Sequence, residues 1–381
     1  MNNKIILPLK NNNRYFYINE NMLKEKEEEL EEFILKSGKM DTLSFVKKVL
    51  LFNEVQSNNS VEGYYDDIEK IKKIVNEKKI YKNSQEKDKL RIINLYEGYR
   101  YILDNKDITK ETLKELNSIL SKGLLDDEDY KNMGEYYRKN PVYIYYSSDV
   151  TKRPDMGLDA SLIEDKMDEL LDFMNNYSFD DTKTMSYLKS QILHFYFVYI
   201  HPYYDVNGRT ARTTSMWYLL NNNVYPYVIF NRGIQINKNE YYKIIRETKK
   251  YSNISLFLKY MMNTVLAELE KEYFMQLIAN SCSKKLETLD YQTLHYLLSI
   301  KGNITVSDFA NMYNRYNNKK KVLKIEEEMI LPLIEKGILI KTRETNGHLS
   351  SFKNNYELAF NFKYVDYDDN LIKNVHVKKS L

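Results

Sequence analysis

The stretch His201-Pro-Tyr-Tyr-Asp-Val-Asn-Gly-Arg-Thr-Ala-Arg212 decides how the rest of this sequence is read. It follows a very apolar run at about 183–200, which reads as a buried helix, and Asn207-Gly208 opens a further helix reaching about Asn221. A histidine in the loop between them can act as a general base near neutral pH. Asp205 can ligate a divalent cation. The free backbone N–H groups of a helix start form an anion site, and Gly208 has no side chain to hold a phosphate away. Arg209 and Arg212 lie three apart, on neighbouring positions of one helix face. Two guanidinium groups can bind polyphosphate oxygens bidentately. Each residue alone also has an ordinary use: His-Pro as a cap or core contact, Asp and Asn as caps, arginine as solvated surface. Their convergence in one short window at a helix start favours phosphoryl or nucleotidyl transfer.

Outward from this window the pattern is mainly helical. The chain has 11 glycines and 6 prolines in 381 residues, so forced breaks are few. Apolar residues recur at helical spacing over 21–35, 41–56, 87–104 and 109–122, the last with Thr109 as its cap. Residues 142–146, Val-Tyr-Ile-Tyr-Tyr, are the first clear strand signal. Helices are expected at 159–176, 237–250 and 253–277. Beyond the polar stretch 280–285 come short helical segments at 288–300, 305–314 and 321–336, with Pro332 expected to kink the third. Runs at 338–342 and 350–358 flank Asn346-Gly347, a hairpin signal. Three helices and a hairpin make a winged-helix arrangement.

Charge and composition narrow the function. Basic and acidic residues number 57 and 54, a net charge of +3, without the basic excess of a general nucleic-acid binder. The single cysteine, Cys282, excludes a disulfide framework or a cysteine-built zinc site within the chain and fits a cytoplasmic setting. The apolar run at 5–7 stops at Pro8, too short for a signal peptide, and the run at 192–200 is too short to span a bilayer. Among the other histidines, His194, His295, His348 and His376 have no partners at informative spacing, and His194 reads as a core residue.

The window resembles the signature of Fic-family enzymes, His-Pro-Phe-x-Asp/Glu-Gly-Asn-Gly-Arg-x-x-Arg. Of its nine specified positions this chain keeps seven: His201, Pro202, Asp205, Asn207, Gly208, Arg209 and Arg212. Tyr203 stands in place of Phe, and Val206 in place of the first glycine. A β-branched residue takes φ > 0 with difficulty and is expected to crowd the phosphates. Doc-like phosphotransferases carry Ala there and replace the second glycine with Lys. Retention of Gly208 points instead to AMP transfer.

The resemblance, which covers about residues 40–275, implies a Fic helical core with a small β-hairpin flap, followed by the winged-helix domain. It implies His201 as the base for a protein hydroxyl, and Asp205 as ligand to Mg²⁺ bridging the α- and β-phosphates of ATP. Asn207 and the backbone at Gly208 hold the α-phosphate, Arg209 the β-phosphate and Arg212 the γ-phosphate. Tyr241, of the pair Tyr241-Tyr242, lines the adenine pocket, with Lys249 where some relatives have Asn. The strand at 142–146 becomes the flap, on which a target segment pairs in extended form. Upstream, Asn58-Asn-Ser-Val-Glu62-Gly63 is similar to the inhibitory motif Ser/Thr-x-x-x-Glu-Gly/Asn, whose glutamate pairs with the second arginine of the signature. Here the Asn58 amide is expected to donate to the Glu62 carboxylate.

The expected organisation is an N-terminal helical region at 1–105, a catalytic core at 106–280, the winged-helix-like domain at 284–365 and a tail at 366–381. The leading reading is a protein adenylyltransferase held in check by its own glutamate. The alternatives are another nucleotidyl or phosphoryl transfer, or AMP removal, at the same site, and a catalytically weak winged-helix regulator. The implied partners are ATP and a protein substrate, the chain itself among the candidates. A homodimer is left open and no membrane is involved. DNA binding is disfavoured by Glu326-Glu327-Glu328 in the candidate third helix, although Lys319 to Lys321 precede it.

Overall fold

The computed structural model describes residues 4–37, 51–77, 86–145, 154–179, 182–224, 230–281, 303–316, 319–335, 337 and 339–354. Contacts divide the chain into two units, Met1–Glu32 with Asp41–Leu266, and Phe33–Met40 with Ala267–Leu381. The fold is mainly helical with small sheets.

The first unit is organised on the helix Lys183–Ile200, capped by the Thr182 hydroxyl, which accepts from Met185 N–H at 3.0 Å. Every residue from Tyr187 to Ile200 is buried, so this helix has no solvent face and must be central. The helices Ile163–Asn176 and Asn207–Asn221 pack on it. Helices Lys87–Asp104 and Lys110–Ser121 pack together and against Asn207–Asn221. Thr109 caps the second of them in a capping box with Thr112, as its sequence predicts. The helix Leu51–Val61 is wedged between Lys87–Asp104 and the helix Phe230–Ile236; the helical expectation for 41–50 lies outside the described residues. Helices Lys238–Tyr251 and Ser255–Ser281 follow.

The N-terminus departs from the sequence reading. What reads as a short apolar run is an antiparallel hairpin, β1 (Lys4–Asn11) and β2 (Arg14–Asn19). Leu7, Leu9, Phe16 and Ile18 alternate inward, and Phe16 sits edge-on to Phe195, Tyr196 and Tyr199. Pro8 is accommodated where the register shifts between Ile6 and Lys10, a place where its missing N–H costs nothing. Among the described residues a second antiparallel hairpin pairs β3 (Tyr143–Ile144) with β4 (Asp155–Met156); Tyr146 of the expected strand lies outside the described residues.

In the second unit the helix Val306–Tyr316 precedes a helical run made of Val322–Ile325, a π-helical turn Glu326–Ile330 and Leu331–Glu335. The π turn is where Pro332 exerts its effect. Proline cannot donate to the carbonyl four residues back, and Leu331 N–H reaches instead to Glu326 O, five residues away. Strands β5 (Ile304–Thr305), β6 (Leu339–Thr345) and β7 (His348–Asn354) form a sheet in the order β5-β7-β6. Asn346 and Gly347, with φ of 52° and 76°, make the tight turn. The Glu326 carboxylate accepts from Leu349 N–H at 2.8 Å and ties the helical run to this hairpin. The segment 288–300, expected to be helical, lies outside the described residues, as do Cys282, His295 and His376.

Candidate functional site

The loop from His201 to Val206 connects two helices by two left-handed residues. His201 ends the first helix at φ 54°, ψ 60°, and Val206 starts the second at φ 54°, ψ 17°. Asn207 braces the turn between them. Its Oδ1 accepts from Tyr203 N–H at 2.9 Å and its Nδ2 donates to Tyr203 O at 2.8 Å. The side chain expected to hold a phosphate is thus occupied with holding the loop. Asp205 is exposed, and its Oδ1 accepts from Val206 N–H at 2.6 Å.

Arg138 approaches the loop from the base of the second hairpin. Its Nε donates to His201 O at 2.8 Å, Nη1 to Asn140 O at 2.7 Å and Nη2 to Leu158 O at 2.6 Å. From the other side, the Tyr204 hydroxyl accepts from the N–H groups of Lys139 and Asn140 at 3.2 and 3.1 Å and donates to Asn132 O at 3.0 Å.

At the helix start, Arg209 is 5% exposed, and its Nε and Nη1 are buried with no hydrogen-bond partner among the described residues. Arg212 is 1% exposed. Its Nη2 donates to Glu62 Oε1 at 2.5 Å and its Nε to Asn58 Oδ1 at 2.8 Å. The same Glu62 oxygen lies so close over Gly208 that a Cβ there would meet it at 2.7 Å. The carboxylate therefore sits against the N-terminal end of the helix, between the two arginines.

Asn58 does something other than the sequence suggests. It does not donate to Glu62. Its oxygen takes the Arg212 Nε–H and its Nδ2 donates to the buried Tyr99 hydroxyl at 2.8 Å. A primary amide has one oxygen, and the guanidinium is the stronger donor. The helix that carries Asn58, with Glu62 directly after its end, is pinned at its start by Glu54, which accepts from Asn231 Nδ2 at 2.9 Å in the core. The helix ends at Val61, and the turn after it passes through Gly63, whose φ of 96° suits glycine.

Residues 107–219 match the family model described as the Fic/DOC family. That segment is a Fic/DOC family domain. The fold of the chain is similar to a Fic family protein from Desulfovibrio desulfuricans G20, with 16% identity, a TM-score of 0.53, and coverage of 88% of this chain and 94% of that one. It is also similar to a fragment of Fic-1 from C. elegans, at 16% identity and a TM-score of 0.50, covering 68% of this chain and 73% of that one. Proteins with a Fic domain generally transfer nucleotide or phosphate-containing groups to proteins. Glu62 and Tyr241 lie outside the matched residues.

Electrostatics at the site follow from burial opposed by charge. Burial pushes the His201 imidazole down to about 4, against the Val198 backbone and the Glu62 carboxylate, which favour its protonation. The ring is therefore neutral at physiological pH. Burial pushes the Glu62 carboxyl up, but Arg212 and then Arg209 outweigh it, and the group stays ionised below its ordinary range. Burial above all disfavours charge on Arg209, with Arg212 and Arg91 adding to it, and Glu62 and then Asp205 offset part of that.

Two expectations change. Tyr241 is 1% exposed, and its hydroxyl lies 2.8 Å from His194 Nε2, so its ring presents no free face to a base. The half-buried ring of the pair is Tyr242, whose hydroxyl donates to Val61 O at 3.3 Å. Lys249 turns toward the second hairpin, with Nζ 4.0 Å from Asp155 Oδ2. Val206 is 3% exposed and so is packed in the interior. A left-handed non-glycine residue costs about 1–2 kcal/mol, whereas burying a valine side chain stabilises by roughly 1.5–3 kcal/mol. Val206→Gly is therefore expected to lower stability by about 1 kcal/mol and to change ATP affinity by less than about twofold, a change near 0.4 kcal/mol. Chemical denaturation alongside calorimetric titration checks both. A large gain in affinity would restore the crowding reading.

Among the described residues no helix is long and apolar enough to cross a membrane. Arg138, Tyr204, Tyr99 and Glu54 escaped the sequence reading. They stand at positions with no motif of their own, and only the tertiary fold brings them to the site.

Proposed function

We propose that this protein transfers the AMP part of ATP to a hydroxyl of a protein, with Mg²⁺, and that Glu62 restrains the reaction. The observation that carries this reading is Arg209. A buried guanidinium with two unpaired N–H groups beside a helix start is a costly arrangement for a purely structural arginine. It is a ready receptor for phosphate oxygens.

Asp205 is the residue that would hold the cation. Mg²⁺ needs only one or two protein carboxylates when phosphates supply its other ligands. The one exposed carboxylate in the loop directly before the phosphate-seating helix fits that pattern. When bound with the nucleotide, the ion neutralises phosphate charge. The target hydroxyl oxygen attacks the α-phosphorus as the neutral His201 ring takes its proton. A new P–O ester bond forms, the bond from the α-phosphorus to the bridging oxygen breaks, and pyrophosphate leaves. Arg209 and the N–H groups at Gly208 stabilise the departing charge. Glu62 competes because its carboxylate occupies Arg212 and the surface of Gly208, where phosphate oxygens would sit.

The test uses ATP labelled at either phosphate with the Glu62→Gly protein and Mg²⁺. Label from the α-phosphate is expected on protein, and peptides of the purified chain are expected to carry AMP if it modifies itself. A chelator should abolish transfer, Mg²⁺ or Mn²⁺ should restore it, and Asp205→Ala should not respond at ordinary metal concentrations. Protein label from the γ-phosphate would replace this reading with phosphorylation, and label from neither would favour a regulator.

A further inference from the structure

The second hairpin is tied to the His201 loop from both directions, by Arg138 and Tyr204. Arg138 is buried and has no carboxylate partner among its hydrogen bonds. All three of its donating nitrogens go to main-chain carbonyls: one at His201, and one at each foot of the hairpin, Asn140 and Leu158. Its own N–H donates to Pro202 O at 3.0 Å. Gly157 permits this closeness, since a Cβ there would meet Arg138 Nη2 at 3.0 Å and Val142 Cγ2 at 2.8 Å. Tyr204 makes the reciprocal connection, with its hydroxyl bound to the N–H groups of Lys139 and Asn140. It occupies a position that the signature leaves unspecified.

These bonds do more than close a loop. Among the described residues the hairpin's rungs are Gly157 N–H to Val142 O at 2.9 Å, then Tyr143 opposite Met156 and Ile144 opposite Asp155. A fork of guanidinium donors sets distance and angle together, and it joins the hairpin feet to the backbone of the residue that carries the imidazole. Moving the hairpin by one residue along its partner would turn every side chain to the other face.

We propose that Arg138 and Tyr204 are positioning residues that lock the hairpin in register with His201, so that a protein segment paired to it presents its hydroxyl to the imidazole. This rests on the transfer reading above. Neither residue touches the nucleotide seat. Loss of the clamp therefore affects the acceptor side and leaves nucleotide binding intact.

Tyr204→Phe removes a single hydroxyl and is the gentler variant; Arg138→Gln strands buried carbonyls and serves as the second. Both are made in the Glu62→Gly protein. Three quantities are measured: affinity for a non-hydrolysable ATP analogue, label transfer from α-labelled ATP to the protein, and hydrogen exchange of the amides of Lys139, Asn140 and Gly157. For Tyr204→Phe the expected result is unchanged analogue affinity and nucleotide KM, a fall of about tenfold in kcat for transfer, and faster exchange at those amides. Arg138→Lys is expected to recover part of the loss that Arg138→Gln causes. Unchanged exchange in Tyr204→Phe overturns the clamp, and faster exchange with unchanged kcat overturns its positioning role. Weakened analogue binding would likewise overturn it, by placing Tyr204 at the nucleotide. If the Glu62→Gly parent transfers no label, the transfer reading fails by itself, and the register role proposed here falls with it; the exchange measurement then still decides whether the hairpin is clamped.

Discussion

Replacing His201 by alanine is expected to lower AMP transfer by about 10²–10⁴-fold, the usual loss for a general base, while ATP binding and the fold persist. His201 is the histidine in the loop directly before the phosphate-seating helix. Its backbone carbonyl, not its ring, is what Arg138 holds, so the alanine variant keeps that bond. The ring also predicts the pH profile. With the imidazole pushed down to about 4 by burial, the free protein stays in its basic form as pH falls through 6.5. The acid limb of kcat/KM is expected well below the ordinary histidine range. Below that limb the rate falls, because a protonated ring cannot accept the hydroxyl proton. Phosphates bring more negative charge than the carboxylate they displace, so the limb of kcat, which reports the bound complex, is expected at higher pH than that of kcat/KM. A folded His201→Ala protein with undiminished transfer would remove the ring from the mechanism.

Glu62→Gly is expected to raise transfer by about 10–100-fold, the range that a coupling of roughly 1–3 kcal/mol produces. The carboxylate is held by Arg212 at 2.5 Å and lies over Gly208, so a nucleotide must displace it before its phosphates can seat. Arg212→Ala also removes the ion pair but should not activate, because it deletes the phosphate contact as well. The Glu62 side chain is 29% exposed. Its loss should therefore cost less than the ~3–5 kcal/mol of breaking a fully buried pair, and more than the ~1 kcal/mol of a surface one. A melting curve must accompany the assay. An unchanged rate in a stable Glu62→Gly protein would leave this glutamate a structural partner of Arg212 only.

The parts of the molecule that were legible in sequence are those with local signals. The central helix announced itself by its very apolar run, the helix Lys110–Ser121 by Thr109, and the β6–β7 turn by Asn346-Gly347. The signature placed His201, Gly208 and Arg209 together because they share one loop and one helix start. The first hairpin was missed although Ile5, Leu7 and Leu9 alternate, and Phe16 and Ile18 after them. Pro8 reads as a stop until the bulge beside it is seen. The role of Asn58 was not legible, since its partner Tyr99 lies 41 residues away on another helix. Arg138 and Tyr204 were invisible for a similar reason: main-chain carbonyls and N–H groups, their partners, leave no mark in a sequence.

The chain of buried groups from Tyr99 through Asn58 to Arg212 has a consequence for how fast the site can respond. The Arg212 bond to Asn58 uses Nε and the Glu62 ion pair uses Nη2, so on the proposed reading the first can persist when the carboxylate leaves. The guanidinium is pre-organised, and exchanging a carboxylate for a phosphate changes its partner without changing its orientation, so little ordering entropy remains to be lost on binding. On the proposed reading, release then requires rotation about the side-chain bonds of one glutamate at a helix end. It is a side-chain movement that must break one ion pair, not one of the microsecond-to-millisecond movements of domains, and its occupancy would follow nucleotide concentration without a rearrangement of the fold.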